Sequence, residues 1–423
     1  MKRQLVVFTL LTLAMASSAF AQYTINTLAQ FNGYNGAFPN PGVTLAGGTL
    51  YGTTQNGGNQ NFSPTQNYGG GDIFSVSAGG VSPPISVVAP LNAPVNGYSV
   101  LGVLGSTLYA NTGGSVSTVP ANGGTLTPLT SVNTSLASLG SYPNGLTISG
   151  NTLYGTTSSG GTNGLGEVFS VSLSDGTLSI LGSFNGTGGS GPTGDDGSSP
   201  YGNLYVEGST LYGTASGGAG GQEIFSVPLS GGAAPTATAI FSGTLGNGVN
   251  IFSQSGNTLY ATTTGISGAQ NGELELISVT GNASPTVLGA FSGGNPTIGG
   301  LVAYGNNLYG TTEEAGGAFP GPDASNGYGA DGYGGVFSVP LTGGNGAPTV
   351  LASMDGSNGI DPEGALAVYN GTLYGTTYYG DYGLSQGGYG TIFSVSVPEP
   401  TSASLLAIAS LTLFRRTRRR SVA

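Results

Sequence analysis

The stretch Leu153-Tyr154-Gly155-Thr156-Thr157 decides the fold, because it occurs seven times along the chain with small changes. The other six copies begin at Leu50, Leu108, Leu211, Leu259, Leu308 and Leu373. Successive copies are spaced by about 45 to 65 residues, which is the range of propeller blades.

A second motif follows each copy after a glycine-rich stretch, as in Val168-Phe169-Ser170-Val171. Its other copies are read at Ile73, Val116, Ile224, Leu276, Val336 and Ile392, and the copy at Val116 lacks the Phe. Two further segments lie upstream of most copies of the first motif. The nearer one is a Gly/Pro-containing turn with a short apolar segment, and the farther one is an apolar run ending in Phe or a substitute. Each unit therefore predicts four short strands separated by turn residues.

The composition favours a folded, turn-rich β protein without helix between residues 23 and 397. Gly (81) and Pro (23) make up about a quarter of the chain, yet 22 Tyr and 16 Phe recur in register with the motifs. In the first motif, strand alternation places Leu, Gly and the last Thr on one face and Tyr and the first Thr on the other. Both faces carry residues to bury, as in a sheet packed between two others. The glycine is expected to let a neighbouring backbone approach closely.

The ends of the repeat region predict how the ring closes. The chain opens with an upstream strand, 24–31, and finishes on a downstream strand, 392–397. If each unit borrows its fourth strand from the next one, the N-terminal strand completes the last blade and removes an exposed edge. We therefore predict an all-β fold, a single seven-bladed β-propeller over residues 22–397.

The paired motifs resemble the GloVer repeat of bacterial surface proteins, over nearly all of residues 23–397. The family has no assigned activity to carry over. The second unit departs from the pattern at Ala110-Asn111, so its blade is expected to be less regular than the others.

Two terminal segments predict export. Residues 1–21 have a basic start, a short apolar run and a small-residue exit at Ala19 and Ala21, which is typical of a signal peptide cleaved before Gln22. The tail, 398–423, joins Pro398-Glu399-Pro400 to an apolar run and a basic cluster. The tail resembles a PEP-CTERM sorting signal, which implies a short apolar membrane helix and cleavage by an exosortase; a plain membrane anchor is the alternative. The basic cluster consists of Arg415, Arg416, Arg418, Arg419 and Arg420.

The charge distribution excludes several functions. All 7 basic residues lie in the two terminal segments, whereas only Glu399 of the 18 acidic residues lies outside residues 22–397. Such a body repels phosphate, so nucleic-acid binding is excluded. Cys and His are absent, which removes thiol chemistry and the usual general acid–base side chain.

A few loops carry candidate ligands. Asp195-Asp196 and Glu313-Glu314 are acidic pairs, and Asp323 and Asp331 are spaced oxygen donors in a glycine-containing segment. Calcium binding is one interpretation of these acids, and solvated loop charge is the favoured one; no cofactor is otherwise expected. The motif tyrosines are interpreted as core rather than as a sugar-stacking ring.

Two classes of function remain after these exclusions. The favoured one is a non-enzymatic surface or matrix protein that binds extracellular polysaccharide, preferably neutral, with the Tyr-rich loop 378–382 as a contact surface. The alternative is a carboxylate-based glycan enzyme whose two acids converge at one end of the ring.

Overall fold

The computed structural model describes residues 23–57, 70–91, 99–112, 115–139, 143–186, 197–216, 222–241, 248–255, 258–264, 273–278, 286–290, 301–312, 333–341, 348–362, 364–380 and 388–397. Nearly all regular structure within these ranges is antiparallel β-sheet. The predicted all-β propeller class is confirmed.

The third repeat unit shows how a regular sheet is built. It contains a first strand, β11 (Pro143–Ser149), a motif strand, β12 (Thr152–Thr157), a Phe strand, β13 (Glu167–Ser172), and an outer strand, β14 (Leu178–Ser183). Each strand pairs antiparallel with the next. Both faces of the motif strand are buried, as the alternation predicts, with Leu153 on one face and Tyr154 on the other.

Four more sheets follow this order. The second unit contains β7 (Ser99–Leu104), β8 (Thr107–Asn111), β9 (Val116–Pro120) and β10 (Thr127–Pro128). The fourth contains β15 (Ser198–Glu207), β16 (Thr210–Ser216), β17 (Gln222–Pro228) and β18 (Thr236–Phe241). The fifth contains β19 (Gly248–Ser255), β20 (Thr258–Thr264), β21 (Glu273–Ser278) and β22 (Thr286–Ala290). The sixth contains β23 (Leu301–Tyr304), β24 (Asn307–Thr312), β25 (Gly335–Pro340) and β26 (Thr349–Ser353).

The last sheet is closed by the N-terminus, as predicted. It contains β27 (Ala367–Tyr369), β28 (Thr372–Thr377) and β29 (Thr391–Ser396), and its outer strand is β1 (Asn26–Gln30). Asn26 lies opposite Ser394, and Gln30 lies opposite Thr391. The first and last strands of the described body are therefore neighbours in one sheet.

The first sheet is irregular. It consists of β2 (Ala37–Pro39), β3 (Thr44–Ala46), β4 (Thr49–Asn56), β5 (Asp72–Ser77) and β6 (Ser86–Pro90). Both β2 and β3 pair with β4: β3 pairs with residues 49–51, and β2 pairs with residues 54–56 at the other end of the strand. The prediction of a seven-bladed propeller is corrected accordingly: six sheets are four-stranded blades, and this one has five strands. The strands β3, β7, β11, β15, β19, β23 and β27 contact one another in that cyclic order.

The motif glycine makes room for an aromatic ring. Gly52 lies directly opposite Phe74 on the neighbouring strand, and a Cβ on Gly52 would lie 2.5 Å from Cζ of that ring. The same pairing recurs in four other sheets, between Gly155 and Phe169, Gly213 and Phe225, Gly310 and Phe337, and Gly375 and Phe393. The expectation that the glycine admits a neighbouring backbone is therefore wrong, since the nearest atoms belong to the phenylalanine ring and, in the four sheets other than the first, also to a leucine side chain.

Where the glycine is replaced, its partner changes too. Ala110 lies opposite Ser117 in the second sheet, and Ala261 lies opposite Glu275 in the fifth. This register corrects the placement of the second motif in the fifth unit. The sequence predicts that it starts at Leu276, but Leu276 pairs with Tyr260 and the motif starts two residues earlier. A shift of two residues preserves the alternation of faces, so the pattern could not reveal it.

Most outer strands carry one extra residue opposite the Phe strand. In β1 this residue is Leu28, which lies between two residues that pair with consecutive positions of β29. Leu181 has the same position in β14, opposite β13. Both side chains are buried, so in these two sheets the β-bulge places a leucine in the core.

One helix contradicts the prediction of a helix-free body. It is α1 (Thr130–Ala137), which follows the two-residue outer strand β10. Val132 and Leu136 lie one turn apart and are both buried, so the helix docks a narrow apolar stripe against the second and third sheets. It supplies apolar volume beside a Phe strand that carries Ser117 in place of Phe.

The helix also caps the exposed edge of the short second sheet. The Asn133 side chain accepts a hydrogen bond from the N–H of Val116 at 2.7 Å and donates one to the Val116 carbonyl at 2.9 Å. The N–H of Leu129, just after β10, also donates to the Val116 carbonyl at 2.9 Å, but the Leu129 carbonyl accepts from the N–H of Asn133 in the helix. The Asn133 side chain therefore supplies the acceptor that the N–H of Val116 would otherwise lack.

Candidate functional site

The glycine-rich connections of the sheets leave from one end, which we call the loop end. There each motif strand stops and the following Phe strand begins. The last motif Thr caps this junction, because its hydroxyl accepts a hydrogen bond from the first N–H of the Phe strand. These bonds join Thr54 to Asp72, Thr157 to Glu167 and Thr377 to Thr391, at 2.9, 3.2 and 3.1 Å.

A strained residue recurs at the loop end on three sheets. Phe38, Ser199 and Asp361 have φ angles of 54°, 46° and 55°, and each precedes a proline. Left-handed φ in such residues costs on the order of 1–3 kcal/mol and is concentrated at functional sites. Contacts with the preceding sheet hold each of the three in place.

The contacts are equivalent at each of these sheet junctions. The N–H of Phe38 donates to the Tyr389 carbonyl at 2.9 Å, and that of Ser199 donates to the Leu165 carbonyl at 2.8 Å. Asp361 donates in the same way to Tyr333 at 3.4 Å. The backbone of one sheet thereby fixes the direction of the residue that the next sheet presents.

At the junction of the last and first sheets these positions build an aromatic cluster, consisting of Phe38, Tyr378, Tyr379 and Tyr389. The Phe38 ring centroid lies 5.3 Å from that of Tyr378, 6.1 Å from that of Tyr379 and 6.2 Å from that of Tyr389. Tyr378 and Tyr379 meet edge to face at 4.8 Å. Such geometries stabilise aromatic groups beyond the area they bury.

The cluster is partly open to solvent, since all four of its residues are half-buried. A polar group lies at its margin, where the Tyr378 hydroxyl donates to Oε1 of Gln55 in the first sheet at 3.1 Å. The exposed Tyr34 lies in the turn between β1 and β2. This surface offers ring faces, a hydroxyl and an amide, which are neutral groups suited to a neutral polar ligand.

Sequence reasoning found only part of this cluster. It selected Tyr378 and Tyr379 within the Tyr-rich loop, whereas Asp381 and Tyr382 lie outside the described residues. It missed Phe38 and Tyr389. The available signal was the string Gly36-Ala37-Phe38-Pro39, which matches Gly197-Ser198-Ser199-Pro200 and Gly359-Ile360-Asp361-Pro362 in spacing.

The motif tyrosines do not contribute to an open site. Six of them are buried and Tyr109 is half-buried, which confirms their interpretation as core residues. The six are Tyr51, Tyr154, Tyr212, Tyr260, Tyr309 and Tyr374.

Three acidic residues are buried at the loop end, each the first or second residue of a different Phe strand. They are Asp72, Glu167 and Glu223. Glu167 accepts a hydrogen bond from the Ser183 hydroxyl at 3.1 Å, and Ser183 is its cross-strand neighbour. The corresponding neighbour of Asp72 is Pro90, which has no hydroxyl to donate.

Asp72 therefore carries an unusual carboxyl. No described residue donates a hydrogen bond to either of its side-chain oxygens. Burial alone raises its pKa from 3.8 to about 7, and no neighbouring carboxylate contributes. Such a pKa suits a general acid, but the Asp72 side chain is fully enclosed and a substrate cannot reach it.

The other acidic candidates cannot be placed. Asp195, Asp196, Glu313, Glu314, Asp323 and Asp331 lie outside the described residues. Within the part of the chain that the structure describes, no three acidic side chains come together as a metal site would require. The predicted calcium sites therefore stay predictions.

The export signals also lie outside the described residues, both the cleavage region at Ala19, Ala21 and Gln22 and the tail with its apolar helix. Pro398, Glu399, Pro400 and the five arginines belong to that tail. Among the described residues, no helix is long and apolar enough to cross a membrane.

Comparison with known proteins gives similarity at the level of the fold. No protein-family model and no curated protein matches the chain. Among solved structures, it is similar to an oligogalacturonate lyase in complex with manganese, with 12% identity, a TM-score of 0.46, and coverage of 89% of this chain and 97% of the lyase. It is also similar to a gluconolactonase from Xanthomonas campestris, with 14% identity, a TM-score of 0.40, and coverage of 71% and 89%. These similarities concern the fold alone.

The buried Asp72 predicts a pH-dependent cost to stability. Its folded pKa lies above its unfolded value, so the folded state keeps a proton that the unfolded state releases as pH rises from about 4 to 7. The cost is absent below that window and complete above it. The substitution Asp72→Asn should raise the free energy of unfolding by about 4 kcal/mol at pH 8 and leave it nearly unchanged at pH 3.5.

Urea unfolding of both proteins at the two pH values measures this difference. Asp175→Asn is the control, because Asp175 is exposed and hydrogen bonds, chiefly from the Thr177 N–H, lower its pKa. The effect of Asp175→Asn on the free energy of unfolding should not become more stabilising as pH rises. Equal stability of Asp72→Asn and the unmodified protein at pH 8 would contradict the assignment.

Proposed function

We propose that this protein is an exported, surface- or matrix-associated β-propeller that binds neutral polysaccharide without transforming it. The observation that carries the proposal is the half-buried aromatic cluster at the loop end, where Phe38 meets three tyrosine rings. The apolar face of a pyranose ring packs against such rings. The Tyr378 hydroxyl and the Gln55 amide supply uncharged hydrogen-bonding groups beside them.

The charge of the body supports a neutral ligand rather than an anionic one. Residues 22–397 contain no Lys or Arg, so a carboxylated or sulfated polymer meets negative charge without compensation. Binding at a single shallow cluster is expected to be weak. Many copies displayed on one surface would raise the effective affinity through multivalency.

The buried carboxylates favour binding over catalysis. Asp72, Glu167 and Glu223 lie on strands of three separate sheets, and no second carboxylate perturbs the pKa of Asp72. A glycosidase of the usual kind needs two acids about 5 to 10 Å apart across its substrate.

The scaffold for this role is a ring in which we count the five-stranded first sheet as the seventh blade. The support is that β3 contacts both β7 and β27, which belong to the sheets on either side of it. A rigid ring of this kind presents all its connecting loops from two ends.

The terminal segments support the proposed location. The signal peptide, 1–21, would direct export, and the tail, 398–423, would hold the precursor in the membrane through its apolar run until an exosortase-type protease cuts near Pro398-Glu399-Pro400. The product would then reach the cell surface or the extracellular matrix.

Binding of immobilised polysaccharides by the chain from Gln22 to Val397 tests the proposed ligand. Neutral polymers (dextran, mannan and galactan) should retain the protein with little sensitivity to salt, whereas alginate and hyaluronate should not. The substitution Phe38→Ala should weaken retention about tenfold, since one stacking face is lost.

The control is Tyr109→Ala, which removes a half-buried tyrosine of the second sheet that packs against the third sheet and should leave retention unchanged. Failure of every neutral polymer to retain the protein would overturn the proposal. Release of reducing sugar that is lost in Asp195→Asn or Glu313→Gln would instead identify an enzyme.

Intact-mass measurement of the protein from its native host tests the proposed processing. The mature form should begin at Gln22 and should lack all five arginines of the tail. A mature mass that includes those arginines would show a retained membrane anchor.

A further inference from the structure

The aromatic cluster is assembled from both ends of the repeat region. Phe38 lies on β2, just after the closing strand β1, whereas the three tyrosines flank β28 and β29 of the last sheet. More than 300 residues of chain separate the two groups. The cluster therefore exists only when the first and last sheets are in contact.

Several direct contacts hold this junction, which we call the closure seam. The bond from Phe38 to Tyr389 crosses it. Beside that bond, the N–H of Phe31 donates to the Gly390 carbonyl at 3.1 Å and extends the pairing of β1 with β29 within the last sheet. The Phe31 ring packs edge to face on Phe74 of the first sheet, with centroids 5.1 Å apart. The Pro39 ring lies where a side chain on Gly390 would be.

The seam is also bridged by two tyrosine hydroxyls of the last sheet. That of Tyr378 bonds to Gln55, and that of Tyr374 bonds to the Ala78 carbonyl. The first of these bonds borders the aromatic cluster. A ligand on the cluster would thus lie across the seam, with Phe38 and Gln55 on one side and the tyrosine rings on the other.

We propose that a neutral sugar stacked on this cluster locks the ring, so that ligand binding and closure by β1 are one linked equilibrium. This inference rests on the proposed function. A ligand that binds only the closed ring stabilises it. Conversely, a variant that loosens the closing strand weakens binding in proportion to the fraction of molecules that remain closed.

The chain offers a matched pair of variants to test the linkage. Leu28 is the buried bulge residue of β1, and Leu181 is the buried bulge residue of β14 in the third sheet. Leu28→Ala and Leu181→Ala therefore remove the same side chain from the same kind of site. Only the first loosens the closure seam, and neither residue belongs to the aromatic cluster.

The experiment measures affinity and hydrogen exchange of the mature protein with dextran, mannan and galactan oligosaccharides as probes. Leu28→Ala should weaken binding about tenfold, whereas Leu181→Ala should leave it within about twofold. In the unmodified protein, a bound oligosaccharide should slow amide exchange in β1, 26–30, and not in β14, 178–183. The exchange result stands on its own if Leu28→Ala does not fold.

The outcomes separate this inference from the proposed function. Binding with equal loss in both variants, or binding without protection of β1, would overturn the linkage while the binding function stands. Absence of binding by every probe would overturn both.

Discussion

The fold depends on the packing of one phenylalanine ring over one glycine between neighbouring strands. At Gly52 and Phe74, and at four equivalent pairs, the missing side chain of the motif strand makes the space that the ring of the Phe strand fills. All five of these rings are fully buried. Because the two residues lie directly opposite each other, the pair sets the register of the two central strands in these five sheets, and a slip by one residue would drive the ring into a side chain. The recurring string Leu-Tyr-Gly-Thr-Thr is thus one half of a steric unit whose other half is the Phe-Ser motif.

The two sheets without this pair show how the constraint can be relaxed. In the second sheet, Ala110 faces Ser117, and the helix α1 packs Val132 and Leu136 beside the strand that lacks the ring. The edge left by its short outer strand is capped by Asn133. In the fifth sheet, Ala261 faces Glu275. Glycine is thus present where its partner is Phe and is replaced by alanine where it is not, which is the pattern expected of a steric pair.

The sequence predicts the structural elements that recur in every repeat unit. It does not predict elements that occur in one unit only, or contacts between residues far apart in the chain. The strands, their order and the pairing of residues 26–30 with β29 follow from the recurrence of two motifs and the offset of the chain ends. The helix α1 is too short and too weakly patterned to stand out from its turn-rich surroundings, and the register of β21 is ambiguous because a shift by two preserves the faces. Of the aromatic cluster, the sequence predicts only Tyr378 and Tyr379, as part of the Tyr-rich loop. Phe38 meets these tyrosines only when the first and last sheets come together, which no local sequence pattern reveals. The lack of a hydroxyl donor for Asp72 depends likewise on Pro90 opposite it, a pairing that becomes evident only in the folded sheet.

A double-mutant cycle between Gly52 and Phe74 tests the steric pair most directly. Gly52 is the suitable site because Phe74 supplies all of the nearest atoms that a new Cβ would meet. Gly52→Ala alone should lower the free energy of unfolding by about 1–3 kcal/mol, and in a Phe74→Ala background the same change should cost less than about 0.5 kcal/mol. Gly79→Ala, at a position with no atom within 4 Å of its would-be Cβ, serves as the control and should have little effect. An equal cost of Gly52→Ala in both backgrounds, measured by urea unfolding, would contradict the account.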